Sequence, residues 1–239
     1  MNLLVVIPAR YGSTRFPGKP LAQIKGRPMI LHVLDKVRAL GNHVRIVVAT
    51  DDERILSVVS EAGGEAIMTN KDHVNGTSRC AEVVSLLGEA VDVVLNVQGD
   101  EPGISVDALS DLVNVFQDQE VRIASLMNRI TDIDRFQDPN CVKVVTDLKG
   151  NALYFSRSAI PFTRDPLPAE PLAFQHQGVY AFRPDSLLEV VNLVPTALEQ
   201  SESLEQLRWL EHGYQIRMVE TAHISRGVDT PEDLNHFDR

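Results

Sequence analysis

The segment from Pro8 to Pro20 concentrates side chains that bind anions. It carries three cations, two hydroxyls and two glycines: Arg10, Arg15 and Lys19, Ser13 and Thr14, and Gly12 and Gly18. Arg and Lys charges, together with backbone N–H groups that glycine leaves accessible, are the groups that phosphate oxygens bind. The pattern predicts a loop that holds a triphosphate. The alternative is a surface turn with exposed basic side chains.

This loop differs from two common phosphate-binding motifs. Five residues separate Gly12 from Gly18 where a Walker A loop has four, and Pro20 stands where that loop needs a Ser or Thr for Mg²⁺. The dinucleotide fingerprint G-x-G-x-x-G does not occur in the sequence. The sequence therefore indicates neither a P-loop NTPase nor a Rossmann dinucleotide site.

Two further polar segments follow apolar runs. Asn96–Pro102 contains Gly99, which allows a tight turn, and Asp100, a carboxylate of the kind that binds Mg²⁺ beside phosphates; the alternative is a simple lead-in to a helix. Met68–Arg79 offers small polar groups and a helix N-terminus near Thr77, which suit a nucleoside or an anion. An ordinary loop that caps a helix explains Met68–Arg79 equally well.

Alternating strands and helices must position these loops. In the first half the pattern predicts strands over Leu3–Pro8, Val44–Ala49, Ala66–Met68 and Val91–Val97, and helices over Pro28–Leu40, Asp51 or Asp52 to Ala62, Arg79–Leu87 and Ser105–Phe116. This order predicts an α/β fold, with a mostly parallel twisted sheet and helices on both faces. In such sheets ligands bind at the carboxyl ends of the strands.

The second half reads as a small mixed α+β lobe. The pattern predicts a β-hairpin (Val142–Thr146 and Ala152–Phe155), a strand at Gly178–Phe182, helices at Pro184–Val194 and Ser203–His212, a strand at Gln215–Val219 and a short helix after Thr230. Ser203-Leu204-Glu205-Gln206 has the form of a capping box. We expect one domain over residues 1–239, with an inserted lobe at about 142–212.

Composition excludes several classes of protein. Two cysteines far apart exclude a disulfide-built secreted scaffold, and the run Leu3–Ile7 is too short for a signal-peptide core. A net charge of −10 argues against nucleic-acid binding, yet five of the 23 basic residues precede the first acidic one, Asp35. We expect a cytoplasmic protein without membrane contact that holds a small anion near its N-terminus.

Taken together, the motifs resemble those of the 3-deoxy-manno-octulosonate (Kdo) cytidylyltransferases. The likeness runs in order along nearly the whole chain: Ile7–Arg10, Ser13–Leu21, Ala49–Asp51, Met68–Thr69, Gly76–Arg79, Asn96–Pro102, Val142–Val145, Ala152–Arg157, Ile160–Pro161, Leu204–Arg208 and Val228–Leu234. CMP-sialic acid synthetases share the first loop, whereas Tyr154–Arg157 and Leu204–Arg208 are more particular to the family.

The resemblance implies transfer of CMP from CTP to the anomeric hydroxyl of Kdo, with Mg²⁺, for lipopolysaccharide biosynthesis. It assigns Arg10, Arg15 and Lys19 to the phosphates, and Ala9, Thr69 and Gln98 to the nucleotide. Asp100 and Asp229 are the implied metal ligands. No His or Glu stands out as a general base, so Mg²⁺ is expected to lower the pKa of the attacking hydroxyl. The resemblance also implies a homodimer, with the lobe at about 142–212 serving sugar binding and dimerisation.

For the sugar, the resemblance implies Arg79, Arg157, His176, Tyr180, Glu205 and Gln206. Each has another interpretation that the residues leave open. Arg157 anchors a hairpin, Glu205 and Gln206 form a capping face, and His176 is a solvated strand residue. Trp209, at helical spacing with Leu210, is expected in the core.

The sequence departs from the family at two places. His73-Val74-Asn75-Gly76-Thr77-Ser78-Arg79 stands where His-Gln-Ser-Gly-Thr-Glu-Arg is usual, and Gln175 stands where the family has Arg. A related sugar acid, 8-amino-8-deoxy-Kdo or a sialic acid, is therefore an alternative substrate. A metal-dependent glycosyltransferase and a noncatalytic nucleotide-binding module are more distant alternatives.

Overall fold

The computed structural model describes residues 1–12, 16–164, 173–225 and 227–237. The chain divides into two compact units, of which the first comprises residues 1–113 and 225–239 and the second residues 114–224. The predicted lobe at about 142–212 lies within the second unit. The assignment of the whole chain to one domain stays a prediction.

The first unit is built on a parallel sheet. Its strands are β1 (Leu3–Ala9), β4 (Arg45–Thr50), β5 (Glu65–Met68) and β6 (Val93–Asn96), paired in the order β6-β1-β4-β5. Every residue of β1 is buried, as expected for a parallel strand covered on both faces. A two-residue hairpin, β2 (Gln23–Ile24) with β3 (Arg27–Pro28), leads into the first helix.

Short polar side chains cap some of the α-helices that the structure describes in the first unit. The helices are α1 (Met29–Arg38), α2 (Glu53–Glu61), α3 (Gly76–Leu87) and α4 (Val106–Asn114). α1 follows Pro28 without a side-chain cap. The carboxylate of Asp52 accepts from Arg54 N, and the Asn75 side chain accepts from Ser78 N, so each satisfies a backbone donor at a helix start. A 3₁₀ turn, Pro231–His236, follows Thr230, with proline at its first position as predicted.

The second unit has a mixed sheet. Its elements are β7 (Ile123–Ile130), α5 (Ile133–Gln137), β8 (Lys143–Thr146), β9 (Ala152–Ser156), β10 (Ala173–Phe182), α6 (Pro184–Val190), α7 (Ala197–Glu202), α8 (Glu205–Glu211) and β11 (Ile216–Glu220). β11 pairs parallel with β7, whereas β7–β10, β10–β8 and β8–β9 are antiparallel. The predicted α/β class, the mixed second half and the β8–β9 hairpin are confirmed.

Three elements of the second unit, β7, α5 and α7, were not predicted from the sequence. β7 was not predicted because two buried polar side chains, Ser125 and Asn128, interrupt its apolar pattern. Both side chains form hydrogen bonds with other parts of the unit. α7 escaped because none of its residues is buried, so it has no apolar periodicity. Local sequence pattern cannot reveal an element whose polar residues are paired by tertiary contacts.

The predicted capping box at Ser203 is wrong. Ser203 instead ends α7 in the left-handed region, with φ of +52°, and Leu204 is the residue that precedes α8. The capping box lies seven residues earlier, between Thr196 and Glu199. A Ser-x-x-Gln pattern fits both a helix start and a turn between helices, so the pattern alone does not decide between them.

Other boundaries moved by several residues. The predicted strand at Gly178 begins at Ala173 and shifts register between Gln177 and Tyr180, and the helix predicted to end at Val194 ends at Val190. None of the helices in the described ranges combines the length and apolar character that a membrane span requires.

Candidate active site

The described loops at the carboxyl ends of the first unit's strands carry most of the predicted nucleotide residues. Ala9 ends β1 and is buried, while the next residue, Arg10, is exposed. Thr69 follows β5 directly, and Gln98 lies two residues after β6. Since parallel strands end at one edge of a sheet, these loops meet there, as the sequence predicted. Arg15, with Ser13 and Thr14, lies outside the described residues.

Aromatic packing holds the described part of the first loop. Gly18 adopts φ of +71°, and a Cβ at this position would lie 3.0 Å from the Tyr11 ring. On this ring lies the guanidinium of Arg54, 3.4 Å from its centroid, at a distance typical of a cation–π contact. Tyr11 N donates to an Asp51 carboxylate oxygen at 3.3 Å. The glycine is therefore needed both for its left-handed backbone and for the ring's close approach.

Lys19 joins the two predicted metal ligands. Its ammonium lies 2.5 Å from Asp100 Oδ2 and 3.6 Å from Asp229 Oδ1. It also donates to the carbonyl oxygen of Val228 at 2.8 Å, and Val228 N donates to the carbonyl oxygen of Asp100 at 2.9 Å. The structure thus brings together two carboxylates that lie far apart in the sequence, as predicted, but the cation between them is the Lys19 ammonium, and their role as metal ligands stays a prediction. The ammonium neutralises them here; a role for Lys19 on the phosphates stays a prediction.

The half-buried carboxyl group of Glu101 adjoins this pair. Glu101 accepts a hydrogen bond from the hydroxyl of Ser225, and its Oε1 would lie 3.3 Å from a Cβ on Gly227. Burial raises the pKa of Glu101 to about 7, although the hydrogen bond from Ser225 opposes the rise. Glu101 was not among the functional residues predicted from the sequence. Its contacts join the second loop to the segment that carries Asp229.

Two glycines allow the loops to approach closely. A Cβ on Gly99 would lie 2.9 Å from the carbonyl oxygen of Pro8, and one on Gly76 would lie 3.0 Å from Pro8 and 3.1 Å from the Gln98 amide. Neither approach leaves room for a side chain. Gln98 Nε2 also donates to Asn96 Oδ1 at 3.0 Å, which fixes the orientation of the amide.

Arg79, predicted for the sugar, lies in the first unit with the nucleotide residues. Its guanidinium donates to Thr69 Oγ1 at 2.5 Å and pairs with Asp51 at 3.0 Å, and its side chain is 3% exposed. Asp52 caps α2 and so leaves Asp51 available for this pair. The ion pair ties the start of α3 to the loops after β4 and β5. Contact of Arg79 with a sugar stays a prediction.

The loop before α3 adds residues that the sequence treated only as a group. His73 lies 2.5 Å from a Glu82 carboxylate oxygen and 3.0 Å from the Ser78 hydroxyl, which anchors the loop to α3. The next residue, Val74, is 80% exposed. An exposed valine between polar neighbours could have marked this segment as a contact surface.

These loops enclose a cavity of about 260 Å³. It is lined by residues from every segment described above: Pro8, Ala9, Arg10, Lys19, Pro20, His73, Val74, Asn75, Gly76, Arg79, Gln98, Gly99, Asp100 and Asp229. Cations and a pair of carboxylates therefore face one concave surface. This arrangement suits a polyanion that is accompanied by a divalent cation.

The other predicted sugar residues lie in the second unit, and three of them are buried. His176, Tyr180 and Gln206 are 8%, 7% and 4% exposed. The rings of His176, Tyr180 and Trp209 pack together, with Tyr180 between the other two at centroid distances of 5.4 and 5.0 Å. The core position predicted for Trp209 is confirmed, and His176 is not a solvated residue.

Burial sets the ionisation of this cluster. It lowers the pKa of His176 to about 3, and it raises the pKa of Tyr180 further above its usual value, to which the charge of Glu205 adds. The Ser125 hydroxyl lies 2.9 Å from His176 Nε2 and 2.8 Å from the carbonyl oxygen of Val179. Its single proton goes to the carbonyl, so the neutral imidazole donates from Nε2.

Arg157 is engaged by backbone groups. Its Nε donates to the carbonyl oxygen of Glu202 at 2.8 Å and its Nη1 to that of Pro139 at 3.1 Å. These are the contacts of a residue that anchors a hairpin. Glu205 and Gln206 form the first turn of α8, and a direct role of these three residues on the sugar stays a prediction.

Comparison with known proteins places this geometry in context. A family profile described as cytidylyltransferase matches residues 4–218. The 3-deoxy-manno-octulosonate cytidylyltransferase of Geobacter sulfurreducens is 48% identical over 244 positions, which cover 98% of this chain and 97% of that protein. The similarity thus includes both units.

Solved structures give the same result. A CMP:2-keto-3-deoxy-manno-octonic acid synthetase, solved in complex with CTP, superposes with a TM-score of 0.93 at 41% identity and covers 100% of this chain and 97% of its own. The 4-diphosphocytidyl-2C-methyl-D-erythritol synthase of Anaerococcus prevotii is 12% identical with a TM-score of 0.66, over 99% of this chain and 96% of its own. The second likeness concerns the fold alone.

Proposed function

Because the chain belongs to the 3-deoxy-manno-octulosonate cytidylyltransferases, we propose that it couples CTP to Kdo. The anomeric 2-hydroxyl of the sugar forms a bond to the α-phosphorus, the bond from that phosphorus to the bridging oxygen breaks, and pyrophosphate leaves. The hydroxyl proton is released. The products are CMP-Kdo and pyrophosphate, and CMP-Kdo serves lipopolysaccharide biosynthesis.

The observation that carries this proposal is the convergence of the cationic loop and two carboxylates on one cavity of the first unit. Transfer of this kind depends mainly on positioning and on neutralising phosphate charge. Arg10 is exposed at the cavity and would contact phosphate oxygens; Arg15 is assigned to the leaving pyrophosphate by the family likeness. Ala9, Thr69 and Gln98 would contact the nucleoside.

The residues present fit a magnesium ion. Asp100 and Asp229 offer only hard oxygen donors and converge on the position that the Lys19 ammonium now neutralises. Mg²⁺ takes one or two carboxylates and completes its shell with phosphates and water. Bound there, it would supply the charge that lowers the pKa of the attacking hydroxyl. Lys19 would hold the two carboxylates close to each other and add positive charge beside the phosphates.

Kdo is favoured over the alternative sugars. The relatives named for Kdo match the chain at nearly full length, second unit included. The His73–Arg79 segment, where the sequence departs from the family, lies in the first unit with the nucleotide residues. That departure therefore gives no reason to expect a sialic acid or an 8-amino sugar. The other departure, Gln175, lies in β10 of the second unit, where its amide oxygen accepts from Arg135 Nε at 2.7 Å. No feature of the described residues favours a glycosyltransferase.

Pyrophosphate release tests the function directly. We expect release only when CTP, Mg²⁺ and Kdo are all present. Equal turnover with UTP in place of CTP, or with a sialic acid in place of Kdo, would overturn the assignment. Mass spectrometry of the product shows whether CMP-Kdo was formed, because hydrolysis of CTP to CMP releases pyrophosphate without any sugar.

A homodimer formed through the second unit remains part of the proposal. Leu148 and Leu153 on the β8–β9 hairpin and Phe162 after it are all exposed, and apolar groups on a surface favour association. Sedimentation should give twice the chain mass, and Leu153→Glu should shift the protein toward the monomer. A monomeric wild-type protein would refute this part alone.

A further inference from the structure

We infer that Glu202 is a positioning residue that sets the sugar-facing turn of α8, with Arg157 as its support. This inference rests on the proposed function, since it assumes that Glu205 and Gln206 contact the sugar. It concerns a carboxylate to which neither the sequence nor the family likeness gave a role.

Glu202 accepts hydrogen bonds from the last residue of β9 and from the residue that follows it. Its carboxylate accepts from Ser156 Oγ at 2.6 Å and from Arg157 N at 2.9 Å, while its carbonyl oxygen accepts from Arg157 Nε at 2.8 Å. Partial burial raises the pKa of Glu202, but these hydrogen bonds outweigh it and the pKa lies below its usual value. The last residue of α7 is thus tied to the hairpin through side chain and backbone together.

The residue that follows Glu202 has a strained backbone conformation. Ser203 follows at φ of +52°, a conformation that non-glycine residues adopt at a cost. Leu204 N donates to the carbonyl oxygen of Glu199 at 3.2 Å, and α8 begins at the next residue, Glu205. Because two residues separate Glu202 from Glu205, the position of Glu202 determines where the first turn of α8 starts.

A buried lysine supports the other side of the tie. Lys143 is fully buried in β8, and its ammonium donates to the carbonyl oxygens of Arg157 at 2.6 Å and Asp138 at 2.8 Å. Burial lowers its pKa. Arg157 in turn donates to Pro139 and Glu202. A buried charge is costly unless it is hydrogen-bonded, and the bonds that satisfy Lys143 also hold the backbone from which Arg157 reaches α7.

The test separates the turn from the rest of the unit. Glu202→Ala should raise KM for Kdo at least about tenfold, since small misplacements of binding groups are costly, and should leave KM for CTP within about twofold. Glu202→Gln retains an acceptor and should fall between. Glu189→Gln, which alters an exposed pair with Arg122 in the same unit, is the control and should match the wild type.

Ser203 provides a second test that leaves Glu202 intact. Its side chain is exposed, so its replacement removes no core packing. Ser203→Gly suits a positive φ and should leave KM for Kdo unchanged, whereas Ser203→Val resists this conformation and should raise it. Equal KM values for the two variants would overturn the inference, as would a folded Glu202→Ala protein with normal KM for Kdo.

Hydrogen exchange keeps the inference separate from the proposed function. Amides of residues 204–208 should exchange faster in Glu202→Ala and Ser203→Val than in the wild type and Ser203→Gly. This readout requires no substrate. If the wild type makes no CMP-Kdo, the proposed function fails while exchange still reports on the turn. Unchanged exchange in an active enzyme refutes the inference alone.

Discussion

The two units present their predicted functional residues in different ways. In the first, cations and carboxylates at strand ends line a cavity and carry charge. In the second, His176, Tyr180 and Gln206 are buried, and Arg157 is engaged by backbone carbonyls. Phosphate binding needs charged groups that the ligand can reach, whereas hydrogen-bonding groups held in fixed positions suit a polyhydroxylated sugar. The comparison predicts that activity depends mainly on the charge of side chains in the first unit and mainly on their fixed positions in the second.

The largest effect is expected at the carboxylate pair. Asp100→Asn and Asp229→Asn each remove a charge that Mg²⁺ would need, so turnover should fall about 1,000-fold. Thermal melting should show that both variants fold. The control is Asp107→Asn, an exposed carboxylate on α4. Near-normal turnover in either variant would remove that residue from the proposed metal site and weaken the contrast between the units.

The next largest effect concerns Arg79, the one predicted sugar residue in the first unit. Arg79→Met leaves Asp51 without its buried partner, and breaking such a pair costs about 3 kcal/mol or more in the free energy of unfolding. Urea unfolding measures this cost. Arg129→Met, which loses an exposed pair with Glu220, should cost less than about 1 kcal/mol. Equal costs would show that the Arg79 pair is not structural.

Proton uptake should distinguish the units. Burial lowers the pKa of His176 to about 3, so between pH 6.5 and 3 the unfolded chain binds the proton that the folded chain does not, and this group's contribution to stability is lost as pH falls. Burial raises the pKa of Glu101 to about 7, so between pH 7 and 4.5 the folded chain binds the extra proton. That contribution is lost as pH rises through 7.

The two substitutions should therefore act in opposite directions. As pH falls from 7.5 to 5, the free energy of unfolding of His176→Gln should end about 2 kcal/mol higher, relative to the wild type, than it began. For Glu101→Gln it should end lower by a similar amount. Urea unfolding at both pH values measures it, with exposed His43→Gln as the control. Shifts of the same sign would contradict the assigned burial of one group.

The smallest effect is expected where a residue serves an element and not the site. Asp52→Ala removes the N-cap of α2 and should cost about 1 kcal/mol of stability, while Asp52→Asn should retain most of it. Turnover of both variants should equal that of the wild type, because the neighbouring Asp51 keeps its contacts with Tyr11 and Arg79. A loss of turnover would show that α2 is coupled to the cavity.

The sequence predicted the first unit better than the second for a physical reason. Buried parallel strands are continuous apolar runs, and polar loops at their ends meet at one edge, so the nucleotide residues could be placed together. In the second unit, buried polar groups such as Ser125, Asn128 and Lys143 interrupt the apolar pattern. Their partners come from distant segments that periodicity does not reveal.

By itself, the sequence determined the α/β class, the strand ends that carry Arg10 and Asp100, and the family likeness. Only the tertiary structure decided that Lys19 lies between Asp100 and Asp229, that Arg79 pairs with Asp51, and that Ser203 turns the chain into α8. Local pattern records which side chains prefer water or a core. Which charge meets which partner depends on folding, because that choice is made between residues far apart in the chain.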